Sequence, residues 1–235
     1  MAINLILLGF LLALLIKFLS LCIRHNISGY ANASGKGFFK TVFNKGYSGE
    51  FLIFMILKHF SGHKKILTNL YIPKNDGTTT EIDLVLINQS GIFVIESKNY
   101  SGKIYGDEKD KMWEQRFKAR IGYKFFNPIW QNKGHISALK GVLQKADRNL
   151  VHSYIVFGKR CEFRRLIITS PGIMVVKTDT LFPALKKDMR EKGFVLSDRN
   201  IDKIFNSLKV YAHATKETKE RHVSDIINKN LASTK

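Results

Sequence analysis

Glu81, Asp83, Glu96 and Lys98 are four charged side chains close together in a stretch otherwise rich in Ile, Val, Leu and Phe. Charges are costly in apolar strands unless something requires them there. Glu81 and Asp83 are two residues apart, and so are Glu96 and Lys98. In extended chain, residues two apart share a face. If the two segments pair, carboxylates and an ammonium converge on one patch. That set suits phosphodiester hydrolysis. Carboxylate oxygens hold a hard cation such as Mg²⁺, with waters and substrate phosphate completing its shell. The cation acidifies a bound water and offsets charge developing on phosphorus. A nearby lysine can orient that water, deprotonate it, or stabilise the pentacovalent phosphate.

The elements that must position these residues are legible in the pattern. Residues 46–60 repeat apolar side chains at helical spacing, and Gly62 ends the run. KILTNLYI over 65–72 reads as a strand that stops at Pro73, followed by the turn residues Asn75-Asp76-Gly77. EIDLVLIN over 81–88 and IFVIESK over 92–98 form a second and third strand, joined as a hairpin across Gln89-Ser90-Gly91. Residues 103–106 and 112–115 suggest a small extra hairpin. Asn127-Pro128 starts a helix to about residue 145, with Asn as cap and Pro in the first turn. Strands at 153–157, 165–169 and 173–177 follow, then a helix capped by Ser197 and a last one over 217–228. Helix, three strands, helix, strand is an α/β arrangement with a mixed central sheet flanked by helices.

Glu81-Ile-Asp83 followed by Glu96-Ser-Lys98 resembles the E-x-D…E-x-K signature of the PD-(D/E)XK nucleases, with Ile82 where the superfamily name has Pro. Gly49-Glu50 resembles the helix that carries a glutamate into the site in their NERD (nuclease-related) branch. Gly102-Lys-Ile-Tyr-Gly106 with Trp113 resembles the NERD hairpin, and Asn127-Pro128-Ile-Trp-Gln131 its N-P-x-x-Q element. The resemblance implies a restriction-endonuclease-like core (αβββαβ) over 40–158, with a strand and helix extension over 159–235. It implies a metal at Asp83 and Glu96, Mg²⁺ or alternatively Mn²⁺. It also implies Lys98 at the attacking water, and Glu50 and Gln131 supporting the metal or its waters. The substrate implied is nucleic acid, DNA in the first instance. The alternative is a tethered nucleic-acid-binding or scaffold module without turnover. Lys133, His135, Lys140 and Lys145 read as a solvated basic helix face, and Trp113 and Trp130 as packing residues.

Residues 3–23 read INLILLGFLLALLIKFLSLCI, long enough as a helix to cross a bilayer core. Met1-Ala2 carries no Lys or Arg and no A-x-A site follows, which favours a signal anchor over a cleaved leader. Arg24, Lys36, Lys40 and Lys45 follow the run, and Glu50 is the first acid of the chain. The positive-inside rule then puts the rest of the chain in the cytoplasm, as a single-pass protein of the cell membrane. Gly29, Gly35 and Gly37 mark 24–39 as a linker. Lys and Arg number 38 against 19 Asp and Glu, a formal charge of +19, which suits a polyanionic partner or anionic lipid. The two cysteines, Cys22 and Cys161, form neither a C-x-x-C pattern nor a scaffold.

Overall fold

The computed structural model describes residues 2–117, 122–212 and 214–232. The chain opens with α1 (Ala2–Ser28), whose apolar stretch Ile6–Ser28 has a mean hydropathy of 2.7 and is long enough to cross a membrane. The stretch expected to be a linker is instead largely helical and packed. α1 runs on to Ser28, and Gly29 turns the chain at φ +77 into α2 (Tyr30–Ser34). α3 (Phe38–Phe43) and α4 (Lys45–Lys58) follow, with the Asn44 side chain capping α4 by accepting from Tyr47 N–H. The physical reason is Tyr30: its ring is fully buried against Phe51 and Phe54 of α4. One aromatic anchor overrides the glycine signals on either side.

The central sheet then forms from β1 (Lys64–Pro73), β2 (Thr79–Asn88) and β3 (Gly91–Lys98). A second, four-stranded sheet begins with β4 (Gly102–Asp107), β5 (Met112–Arg116) and β6 (Gly122–Phe126). α5 (Pro128–Val142) leads back to β7 (Val151–Phe157) in the first sheet, β8 (Cys161–Ile167) joins the second, and β9 (Ile173–Lys177) completes the first. α6 (Leu181–Lys192), α7 (Asp198–Leu208) and α8 (Lys216–Ala232) close the chain. The first sheet has the order β1-β2-β3-β7-β9, antiparallel across β1-β2-β3 and parallel across β3-β7-β9. This is the mixed sheet flanked by helices expected from the sequence. β6 and α6 go beyond the elements that the sequence pattern marks, and β8 starts four residues before the strand expected at 165–169.

Both faces of this sheet are covered. Leu84, Leu86, Phe93 and Ile95 face α4 and α6, whereas Val85, Ile87, Ile92 and Val94 face α5 and α7. A sheet buried on both sides explains why β2 and β3 are almost continuously apolar. The alternation breaks at one place. Ile82 packs on the α5 side although Leu84, two residues on, packs on the α4 side. Opposite, Leu67 and Leu70 lie in the same core although three residues apart, and between them Asn69 has φ +53. Asparagine is among the few residues that adopt this left-handed conformation at low cost. The facing strands thus switch sides together, and Asp83 lies at the switch.

Candidate active site

Asp83 and Glu96 belong to neighbouring antiparallel strands, next to the Leu84–Ile95 pair. They are tied through the backbone: Ser97 N–H donates to Asp83 Oδ2 at 2.8 Å. Glu96 is buried, and both its oxygens are engaged. Lys98 Nζ lies 2.6 Å from Oε1, and His135 Nε2 lies 2.9 Å from Oε2. Lys98 also donates to Gln131 Oε1 at 2.9 Å. Gln131 and His135 are one turn apart on α5, so a single helix face supplies both groups. His135 Nδ1 lies 2.7 Å from Thr80 Oγ1 on β2.

His135 therefore does not belong to a solvated basic face. It is a buried partner of Glu96, with 4% of its surface exposed. Its signal was the four-residue spacing from Gln131. Asn127, fully buried, fixes where α5 begins. Its Oδ1 accepts from Ile129 N–H, and its Nδ2 donates to the carbonyls of Asp107, Glu108 and Asp110. Trp113 Nε1 donates to Asp107 O and Trp130 Nε1 to Glu108 O, each at 2.8 Å, so both tryptophans also hold this turn.

Glu50 approaches from α4. Gly49 allows the approach, because a Cβ there would stand 2.7 Å from Asn99 Cβ just beyond β3. Glu50 is buried and accepts from Lys36 Nζ at 2.9 Å and Tyr30 Oη at 3.2 Å. Lys36 Nζ also donates to Asn69 Oδ1 at 2.5 Å and lies 3.6 Å from the centre of the Tyr47 ring. The supposed linker thus places a lysine beside the site. No sequence period marked Lys36, since its burial follows from the Tyr30 anchor. Glu81 stands apart from the Glu96 cluster. It stands opposite Tyr71 on β1, and its charge raises the Tyr71 and Tyr47 phenols above their ordinary values, secondary to burial.

The electrostatics divide the carboxylates. Burial, then the charges of Glu96 and Glu50, push Asp83 well above the usual carboxylate range, against Lys98 and the Ser97 N–H. Burial also acts on Glu96, but Lys98 and His135 outweigh it and hold Glu96 below its ordinary value. Burial raises Glu50, only partly offset by Lys36. Lys98 is raised, because Glu96 and Asp83 outweigh its desolvation. Two carboxylates with unlike environments and a retained ammonium make an asymmetric anionic patch.

The donor chemistry fits a hard cation. Asp83 is only half-buried, and its Oδ1 has no hydrogen bond among the described residues. Net negative charge there disfavours its own ionised form until a cation arrives. Mg²⁺ needs only one or two carboxylates. That matters because, among the described residues, no three His, Cys, Asp or Glu side chains gather to hold a metal by themselves. An ion held there would share Glu96 with Lys98.

An uncharacterised protein of Bacillus anthracis is 28% identical over 186 residues, covering 79% of this chain and 85% of the relative. A solved structure of a protein of unknown function, AF1548, is 13% identical, covers 71% of this chain and 97% of its own, and has a TM-score of 0.35. The nuclease-related domain family, NERD, matches residues 45–158, which contain Glu50, Asp83, Glu96, Lys98 and Gln131. Residues 45–158 of this chain accordingly belong to the NERD family of nuclease-related domains.

Proposed function

We propose that this protein is a membrane-anchored, Mg²⁺-dependent nuclease that hydrolyses nucleic-acid phosphodiester bonds, DNA foremost, with its NERD domain on the cytoplasmic side. The observation that carries the reading is the Asp83–Ser97 and Glu96–Lys98–Gln131 network at the end of the central hairpin. Asp83 and Glu96 are the residues to hold the ion, which when bound would polarise phosphate and acidify a water. Without an ion, the charges of Glu96 and Asp83 favour the ammonium form of Lys98 over the desolvation that opposes it. Its part is to handle the attacking water or to offset charge on the phosphoryl oxygens. Two of its three N–H groups bind Glu96 and Gln131, which aims the ammonium. Gln131 and His135 position Lys98 and Glu96, and Glu50 adds negative potential at Asp83.

A second reading has its own observation. Both Glu96 oxygens are already bound by protein cations or donors, as suits a tethered binding or scaffold module with no turnover. The readings separate in one experiment on the full chain in detergent, since His25 at the end of α1 hydrogen-bonds Thr41 and a chain cut after α1 loses that contact. Supercoiled plasmid and single-stranded DNA are incubated with Mg²⁺, Mn²⁺ or EDTA, beside Lys98→Ala and Asp83→Ala. Metal-dependent cutting lost in both variants is the expected result. Retention of DNA without cutting, falling steeply with salt, selects the binding module.

A further inference from the structure

α3 stands against α1, not on the sheet. The Phe38 ring meets Phe18 at 5.4 Å and His25 at 5.6 Å, both edge to face. Thr41 is buried, with Oγ1 3.2 Å from His25 Nε2. Those contacts turn one face of α3 inward. On the other, Phe39 and Phe43 are four residues apart with rings stacked at 6.3 Å and 4°. They are 65% and 79% exposed, a paired aromatic surface that water covers poorly.

Its position says what covers it. Phe18 lies within the apolar stretch Ile6–Ser28, none of whose most apolar window is buried by protein. Since Phe38 touches Phe18, α3 runs alongside that stretch where it enters the folded domain. About 20 residues fill a hydrocarbon core, so an anchor built on the apolar run over 3–23 leaves that core within about two turns of Phe18. Phe39 and Phe43 thus stand at the depth of the headgroup boundary, where aromatic side chains partition. The surroundings are cationic. Lys40 lies on α3 and Lys45 starts α4. Asn99 Nδ2 donates to Lys45 O at 2.7 Å, and Asn99 also lines a cleft of about 490 Å³ at the foot of α1. Arg24, Lys159 and Arg160 line that cleft beside Leu52, Met55 and Ile56, with one acid, Asp179. Basic and apolar side chains together match an anionic lipid surface, charge to phosphate and stem to acyl chain.

We propose that this face lies on an anionic phospholipid bilayer, with Phe39 and Phe43 entering the acyl boundary and Arg24, Lys40, Lys45, Lys159 and Arg160 meeting lipid phosphates. The proposal rests on the reading of α1 as a membrane anchor, and it adds a second contact that fixes the domain's tilt. Gly37 caps α3, and the residue before it is Lys36, which holds Glu50. The bilayer contact and the active site therefore share one short strap.

The test uses the full chain in phosphatidylcholine–phosphatidylglycerol vesicles, with Cys22→Ser as background and nitroxide labels introduced through Phe43→Cys, Leu12→Cys and Lys133→Cys. Cys161 is buried and its thiol is pushed up to about 11, so it does not compete for label. Accessibility to oxygen against a water-soluble nickel chelate gives the depth of each label. The expected result is that the label at 43 is oxygen-rich and nickel-poor, like that at 12, while 133 is aqueous. The label at 43 should become shallower in phosphatidylcholine alone. An aqueous label at 43 overturns the proposal. With 12 still in the bilayer the anchor stands; with 12 aqueous as well, the anchor fails too. A label at 43 shielded from both reagents, with spin–spin broadening, means that a second copy covers this face, and also overturns it.

Discussion

His135 Nε2 lies 2.9 Å from Glu96 Oε2, while Lys98 Nζ lies 2.6 Å from Glu96 Oε1, so each carboxylate oxygen has its own donor. Because Glu96 is held ionised, Nε2 must carry the proton on its side of the imidazole. This ties the carboxylate's rotamer to α5, whose Gln131 also accepts from Lys98.

Replacing His135 by Ala should strand one buried carboxylate oxygen. The expected cost is about 1–3 kcal/mol in stability. Loss of this outer support should lower Mg²⁺-dependent cleavage, or metal affinity, about 10–100-fold. Chemical denaturation and a Mg²⁺ titration of activity measure the two effects separately. Full activity with an unchanged Mg²⁺ midpoint would remove His135 from the site.

Lys36 and Glu50 form a buried ion pair, each side chain 9% exposed. Lys36→Met leaves the carboxylate without its cation and should destabilise the fold by about 3–5 kcal/mol. Adding Glu50→Gln should recover much of that loss, because no uncompensated charge then remains. A double-mutant cycle on melting in detergent measures the coupling. Additive effects would mean the pair is not coupled.

The order of strands and helices could be read because β2 and β3 are apolar runs bounded by turn residues, and because Asn127-Pro128 is a strong helix start. The approach of Glu96, Lys98 and Gln131 followed from strand alternation and from family resemblance. The remainder depended on long-range packing. Strand alternation would put Glu81 beside Asp83, but the sheet changes faces at Asn69 and Ile82, and Glu81 is left opposite Tyr71 on β1. Lys36 lies among glycines, and only the burial of Tyr30 brings it to Glu50. Gly122–Phe126 is exposed along most of its length, so β6 carries no hydrophobic period to announce it.

Asp83→Asn should stabilise the metal-free protein. A carboxylate whose folded pKa is raised opposes folding once pH exceeds its unfolded value, and the penalty vanishes below that value. The variant should therefore melt higher at pH 7 and match the parent near pH 4. Each kcal/mol gained corresponds to about 2–4 °C in a protein of this size. Cleavage should be lost in the same variant. A melting point at pH 7 no higher than the parent's would refute the repulsion assigned to Asp83.

Glu108 offers the opposite pH dependence. Its carboxylate accepts from Thr169 Oγ1 at 2.5 Å and from the N–H groups of Thr169 and Ser170 at 2.9 Å, and these bonds hold its pKa down to about 2. Since the folded value is depressed, the bonds contribute fully above the ordinary value of 4.5, and the contribution disappears as pH falls towards about 2. The same turn carries the carbonyls that Trp113 and Trp130 hold, so tryptophan fluorescence reports on it directly. Acid titration should move the emission to the red between those two values. Glu108→Gln should remove that acid step and shift the emission already at neutral pH. If the step persists unchanged in Glu108→Gln, another acid holds the turn and Glu108 is not its latch.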